Sequence, residues 1–135
     1  MNANIFFDTN VILYSYSILN NQKSLISKNL INSTQSIIST QVLQEMCNVL
    51  IKKFNLDMTS ISNALSEMEL NFDVRINTTE TIRNALKIHF KYLYSYYDSL
   101  IISSALENKC SVLYSEDLQH NQKIENTLTI LNPFI

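Results

Sequence analysis

The sequence predicts an α/β fold in which a parallel sheet of about five strands lies between two layers of helices. Three observations carry that expectation. The apolar runs Ile5-Phe6-Phe7, Ser36-Ile37-Ile38-Ser39 and Val112-Leu113-Tyr114 are continuous rather than alternating, which suits strands covered on both faces. Segments of helical period stand between the runs with short connections, the rhythm of a doubly wound layer fold. Acidic residues follow the runs, Asp8 after the first, Glu45 after the second and Asp117 after the third. In a parallel sheet these would share the carboxyl edge, where open α/β sheets place their ligand crevice.

Taken in order, residues 4–8 form the first strand and residues 10–16 and 22–31 read as helical. Ser36–Ser39 is the second strand, and Thr40 is the expected N-cap of a helix running to about residue 54. Within that helix Val42, Leu43, Met46, Val49 and Leu50 fall on one stripe. Residues 57–70 read as another helix and 72–74 as a short strand. Asn77 with Glu80 three residues on predicts a capping box at the head of a long helix to about residue 94. Asp98 opens the next helix, whose Leu100, Ile101, Ala105 and Leu106 face the core, and Asn108 ends it. Residues 112–114 and Leu128–Leu131 are the last two strands. No linker, repeat or low-complexity tract interrupts the pattern, so residues 1–135 are expected to be a single domain, large enough to bury a core of its own.

Composition excludes several classes. There is no glycine at all, against a usual share of about 7%. Phosphate-cradling loops of the P-loop and dinucleotide types need glycine for positive φ and close backbone approach. Asn108, Asn121 and Asn126 are the candidates to take left-handed positions instead. Ten basic against twelve acidic residues give a net charge of −2, which argues against nucleic-acid binding by bulk electrostatics. No apolar stretch approaches the roughly 18 residues that span a bilayer, and the first residues lack a basic segment followed by an apolar core, so no secretory signal is expected. Cys47 and Cys110 lack metal-ligand spacing and read as free thiols in a reducing compartment. A cytoplasmic protein is the expectation.

Each acid also has a plain structural reading. Asp8 and Asp98 are good N-caps, and Glu116-Asp117 suits turn chemistry. Glu45 has the weakest such excuse, because it lies too far along its helix to cap and sits at the edge of the apolar stripe. Gathered carboxylates repel, so an edge that collects them calls for a hard cation such as Mg²⁺ or Mn²⁺. His89 and His120 read as surface or packing residues, with His120 also placed to touch a phosphate or base. The tyrosines Tyr92, Tyr94, Tyr96 and Tyr97 are read as core or interface residues, with stacking on unpaired RNA bases as the alternative.

Four motifs together resemble the PIN-domain ribonucleases, and in particular the small VapC-type toxins of toxin–antitoxin pairs. They are the opening Asn4-Ile5-Phe6-Phe7-Asp8-Thr9-Asn10, the glutamate-bearing Ser39-Thr40-Gln41-Val42-Leu43-Gln44-Glu45, then Tyr97-Asp98-Ser99-Leu100, and finally Leu113-Tyr114-Ser115-Glu116-Asp117-Leu118-Gln119-His120. The resemblance implies a three-layer PIN-like fold with strand order 3-2-1-4-5 and a metal-dependent endoribonuclease. It implies catalytic, metal-holding roles for Asp8, Glu45, Asp98 and Asp117, with Thr9, Asn10 and Glu116 in support and Mg²⁺ or Mn²⁺ as cofactor. His120, Lys52 and Lys53 are candidate RNA contacts. An RNA substrate (tRNA, rRNA or mRNA), a cognate antitoxin protein and a homodimer are the implied partners, the helices between residues 22 and 70 being candidate contact surfaces. The family often carries glycine where this chain has Asn121. The competing reading is a PIN fold without catalysis, serving as a protein- or RNA-binding module. A phosphoacceptor receiver would need paired acids after the first strand and a well-placed late lysine. A haloacid-dehalogenase-like phosphatase would need a second Asp where Asn10 stands.

Overall fold

The computed structural model describes residues 4–16, 21–33 and 36–135. Strand β1 (Asn4–Phe7) is followed by helices α1 (Thr9–Tyr14) and α2 (Asn21–Ser33), strand β2 (Ser36–Ser39) and helices α3 (Thr40–Lys52) and α4 (Met58–Asn71). Then come strand β3 (Phe72–Arg75), helices α5 (Thr79–Tyr92) and α6 (Tyr96–Glu107), and strands β4 (Cys110–Tyr114), β5 (Lys123–Ile124) and β6 (Leu128–Leu131). The sheet order is β3-β2-β1-β4-β6-β5. Five strands are parallel, in the expected 3-2-1-4-5 order once β6 is counted as the fifth. The sequence reading omitted β5, which pairs antiparallel with β6 at the sheet edge. Its two residues are too few to show a period.

Register explains the continuous apolar runs. Phe6 lies between Ile37 and Leu113, and Phe7 opposite Tyr114. Helices cover both faces, so Phe6, Phe7, Ile38, Leu113 and Ile130 are all fully buried. Phe7 also packs its ring against Phe72 and Tyr114, with centroids 5.6 and 5.3 Å away. Of the expected stripe, helix α3 fully buries Val42, Met46 and Leu50, while Leu43 and Val49 are half-buried. Helix α6 is buried at every residue from Ser99 to Ala105, which marks a helix enclosed on all sides rather than an amphipathic one. Among the described residues no helix is long and apolar enough to cross a membrane.

Local corrections have simple causes. Ser39, not Thr40, occupies the N-cap of α3, and its side chain makes no capping bond. The Thr40 hydroxyl instead accepts from the Asn77 amide, 3.5 Å away. The cap of α5 is Thr78, with Thr81 closing the box. The Asn77–Glu80 pair is therefore one residue out of phase. Ser95 caps α6, so Asp98 is in its first turn rather than at its opening. Asn108 ends α6 with φ −90°, while Lys109 takes the left-handed position beyond it. Asn121 and Asn126 do adopt positive φ, and at Asn121 asparagine thus supplies the backbone shape for which glycine is the usual choice.

Candidate metal centre

Parallel pairing brings the ends of β1, β2 and β4 to one edge, and the residues that follow them line it. Asp8 leaves β1 with its amide donating to the Tyr114 carbonyl, 2.9 Å away. It caps α1, as its structural reading required, because one carboxylate oxygen accepts from the Thr9 amide at 2.7 Å. The other oxygen accepts from the Ser115 hydroxyl at 2.8 Å. Two donors leave half of the carboxylate's acceptor sites open, so capping does not exhaust the group. Asp8 is 6% exposed.

Burial is the main reason that the Asp8 carboxyl is raised to a pKa of about 7, and the negative charges of Glu45 and Asp98 push in the same direction. The Ser115 and Thr9 bonds oppose the rise and do not cancel it. Glu45, in the second turn of α3, is tied to this centre by the Thr9 hydroxyl, which donates to it at 2.7 Å. Asp98 is half-buried in the first turn of α6. The Gln41 side-chain amide links these two helices by donating to the Tyr97 carbonyl at 3.0 Å.

Asp117 is exposed and held from a different direction. Asn10 donates to it at 2.8 Å, while the Asn10 carbonyl oxygen accepts from the Glu116 amide at 3.4 Å. Glu116 points elsewhere, receiving the Tyr14 hydroxyl at 2.7 Å and pairing with Lys23. Desolvation works against ionised Glu116, yet these two hydrogen bonds and the Lys23 charge hold it below the usual glutamate range. His120 accepts from the Asn132 amide through Nδ1 at 2.9 Å, leaving Nε2 as the nitrogen able to donate. Lys52 and Lys53 are exposed at the end of α3, about 10 Å along the helix axis from Glu45 at 1.5 Å per residue.

The structure thus joins Asp8 and Glu45 through Thr9, sets Asp98 near enough to act on Asp8 by its charge, ties Asp117 to Asn10, and commits Glu116 to Lys23. Ser115, Gln41, Tyr14 and Lys23 were missed by sequence reasoning. Ser115 was legible in principle, because it follows Tyr114 in the strand that pairs with β1 and so falls opposite Asp8. Among the described residues no three Asp, Glu, His or Cys side chains are gathered closely enough to hold an ion as they stand. The chemistry of the donor set nevertheless fits one. The donors are hard oxygens, and Asp8 is a carboxyl raised mainly by burial and further by the negative charges of Glu45 and Asp98, which a divalent cation would offset.

Fold and site together define an open, mostly parallel α/β sheet with acidic residues at its carboxyl edge. The chain belongs to the PIN-domain family, whose sequence profile matches residues 5–124. Among solved structures, it is similar to a toxin–antitoxin complex from Klebsiella pneumoniae, with TM-score 0.71 and 18% identity over 96% of this chain and 97% of that one. It is similar to VapC20 of Mycobacterium tuberculosis, described as a sarcin–ricin-loop-cleaving toxin, with TM-score 0.69 and 18% identity over 84% of this chain and 89% of that one. VapBC2 of Rickettsia felis, bound to promoter DNA, gives TM-score 0.69 and 15% identity over 94% and 96% of the two chains. At these identities the likeness is one of fold. A comparison with curated proteins by sequence gives no match.

Proposed function

We propose that this chain is a metal-dependent endoribonuclease and the toxin of a toxin–antitoxin pair. The observation that carries the reading is the buried Asp8 carboxyl, raised to about 7 beside Glu45 and Asp98 on the carboxyl edge of a PIN-domain sheet. Asp8, Asp98, Glu45 and Asp117 would hold Mg²⁺ or Mn²⁺. The ion would supply Lewis acidity, lowering the pKa of a water and neutralising charge on the leaving oxygen of a phosphodiester. The chain's own groups orient the acids. Ser115 and the Thr9 amide fix both oxygens of Asp8, the Thr9 hydroxyl aims Glu45, and Asn10 aims Asp117. Lys23 and Tyr14 draw Glu116 away, so it steadies the loop that carries Asp117.

The toxin role is supported by the fold-level likeness to toxin–antitoxin complexes. A groove of about 480 Å³ lined by Leu43, Gln44, Cys47, Asn48, Ile51 and Leu65 offers an apolar surface for the antitoxin or a second copy. The test is cleavage of RNA by the purified protein with Mg²⁺, with Mn²⁺ and in EDTA, beside an Asp98→Asn variant. Cleavage should require the ion and vanish in the variant. Full activity in Asp98→Asn, or undiminished cleavage in excess EDTA after metal removal, overturns the nuclease assignment. Co-purification with the product of a neighbouring gene and a dimer by light scattering test the partners. Failure of both leaves the nuclease without the toxin role.

A further inference from the structure

The four tyrosines from the end of α5 to the start of α6 do not share one role. The Tyr92 hydroxyl accepts from the Glu125 amide at 3.0 Å. The Tyr94 hydroxyl accepts from the Gln119 amide at 3.1 Å and bonds Gln122. These two rings are half-buried and hold the segment after β4 in place. Tyr97 differs. It is 66% exposed, and among the described residues its hydroxyl makes no hydrogen bond. Among the described residues the aromatic ring that meets it is Tyr96, edge-on, with centroids 5.3 Å apart and planes at 74°.

Its position is unusual as well. Tyr97 directly precedes Asp98 in the first turn of α6, and buried Gln41, one residue into α3, grips its backbone carbonyl. The backbone is thus anchored beside Asp98, and the ring, met edge-on by Tyr96, stands exposed in the same first turn of α6. A lone exposed apolar side chain is ordinary. An aromatic ring pinned at backbone level next to a candidate metal ligand is a preorganised surface.

We infer that Tyr97 is a stacking platform for an unpaired base of the RNA beside the cleaved phosphodiester, an inference that rests on the nuclease reading above. Duplex RNA hides its base faces within the stack, and only loops, bulges and single strands can offer one to an aromatic ring. The substrate class is therefore RNA with a splayed base at the cleavage site. Stacking accepts any base because every base has a π-face, so Tyr97 contributes affinity and a preference for unpaired structure rather than a sequence code.

The test compares wild type with Tyr97→Ala, Tyr97→Phe and Tyr97→Trp on a single-stranded oligonucleotide and on the same sequence in a duplex, with Mn²⁺. Tyr97→Ala should lose about 5- to 160-fold in kcat/KM on the single strand, chiefly through KM, the range that loss of one stacked base gives. Phe and Trp should retain activity, and the Ala melting temperature should match wild type because the ring is exposed. In an Asp8→Asn background, 2-aminopurine at the cleavage site should be quenched on binding, and adding Tyr97→Ala should abolish the quench. If wild type cleaves and Tyr97→Ala cleaves equally well, the inference fails while the nuclease reading stands. A loss that Phe does not rescue assigns the role to the hydroxyl and overturns stacking. Normal cleavage combined with escape from an inhibitory protein makes Tyr97 a protein contact, which also overturns it. A wild type inactive on every RNA with either ion overturns both readings.

Discussion

Asp8 and Glu116 flank the same sheet edge, one after β1 and one after β4, yet the protein treats them in opposite ways. Glu116 receives a cation and a phenol of the protein's own and is held below the usual glutamate range against its burial. Among the described residues Asp8 receives only a hydroxyl and an amide, and burial, with two neighbouring carboxylates, raises it to about 7. An acid that the chain neutralises internally is complete. An acid left buried among like charges costs stability that a bound cation would return. The difference separates a structural carboxylate from a candidate ligand where adjacency in sequence does not, since Glu116 neighbours Asp117 and both follow the same strand.

The strongest way to break this contrast is to neutralise each acid in turn. Asp8→Asn should lower RNA cleavage by more than about 100-fold, beyond the 10–100-fold that loss of a metal ligand's supporting partner costs. Glu116→Gln should lose far less. Equal losses in an RNA cleavage assay would show that Glu116 belongs to the centre after all. The next effect is on stability against pH in metal-free protein. Asp8 keeps its proton in the folded state up to about 7, whereas an unfolded Asp releases it near 3.8. The folded state therefore binds more protons between those values, and stability falls as pH rises through that window. Glu45 and Asp98 face the group and sustain the effect. Urea unfolding at pH 5 and pH 8 should show a decline on the order of 2–3 kcal/mol, and Asp8→Asn should remove that part of the slope.

A comparable effect is expected from the ion itself. Mn²⁺ at about 100 times its dissociation constant should stabilise the native state by roughly 2.7 kcal/mol. The gain, read as a rise in melting temperature, should survive in Glu116→Gln and disappear in Asp8→Asn combined with Asp98→Asn. Lys23→Met is the smallest perturbation. The Lys23–Glu116 pair is partly solvated, and such pairs contribute little. A drop of only a few degrees is expected, together with weakened order at Glu116 that chemical-shift changes around residues 116–117 would report. A collapse of the fold would mean that Lys23 supports more than the loop.

Much of this molecule can be read residue by residue. Ile5-Phe6-Phe7 and Ser36-Ile37-Ile38-Ser39 announce covered strands because each side chain must find an apolar face above or below the sheet. Val42, Met46 and Leu50 announce the buried face of α3 because their spacing follows the helical period. Caps were read less accurately. Ser, Thr, Asn and Asp compete for the same amides over one or two positions, so Thr78 displaced Asn77 and Ser39 displaced Thr40. The two-residue β5 has no pattern of its own and exists because β6 offers an edge to pair with.

Asp8, Glu45 and Asp117 fall on a common edge by local pattern, since a strand's end is set by residues a few positions apart, while Asp98 joins them only through the resemblance of its motif. Their states do not follow from local pattern. Glu116 is compensated by Lys23, 93 positions away, while Asp8 is held by Ser115, 107 positions away. Only the folded chain decides which charge meets which, because Coulomb attraction and desolvation depend on distance and burial in space rather than on position along the backbone.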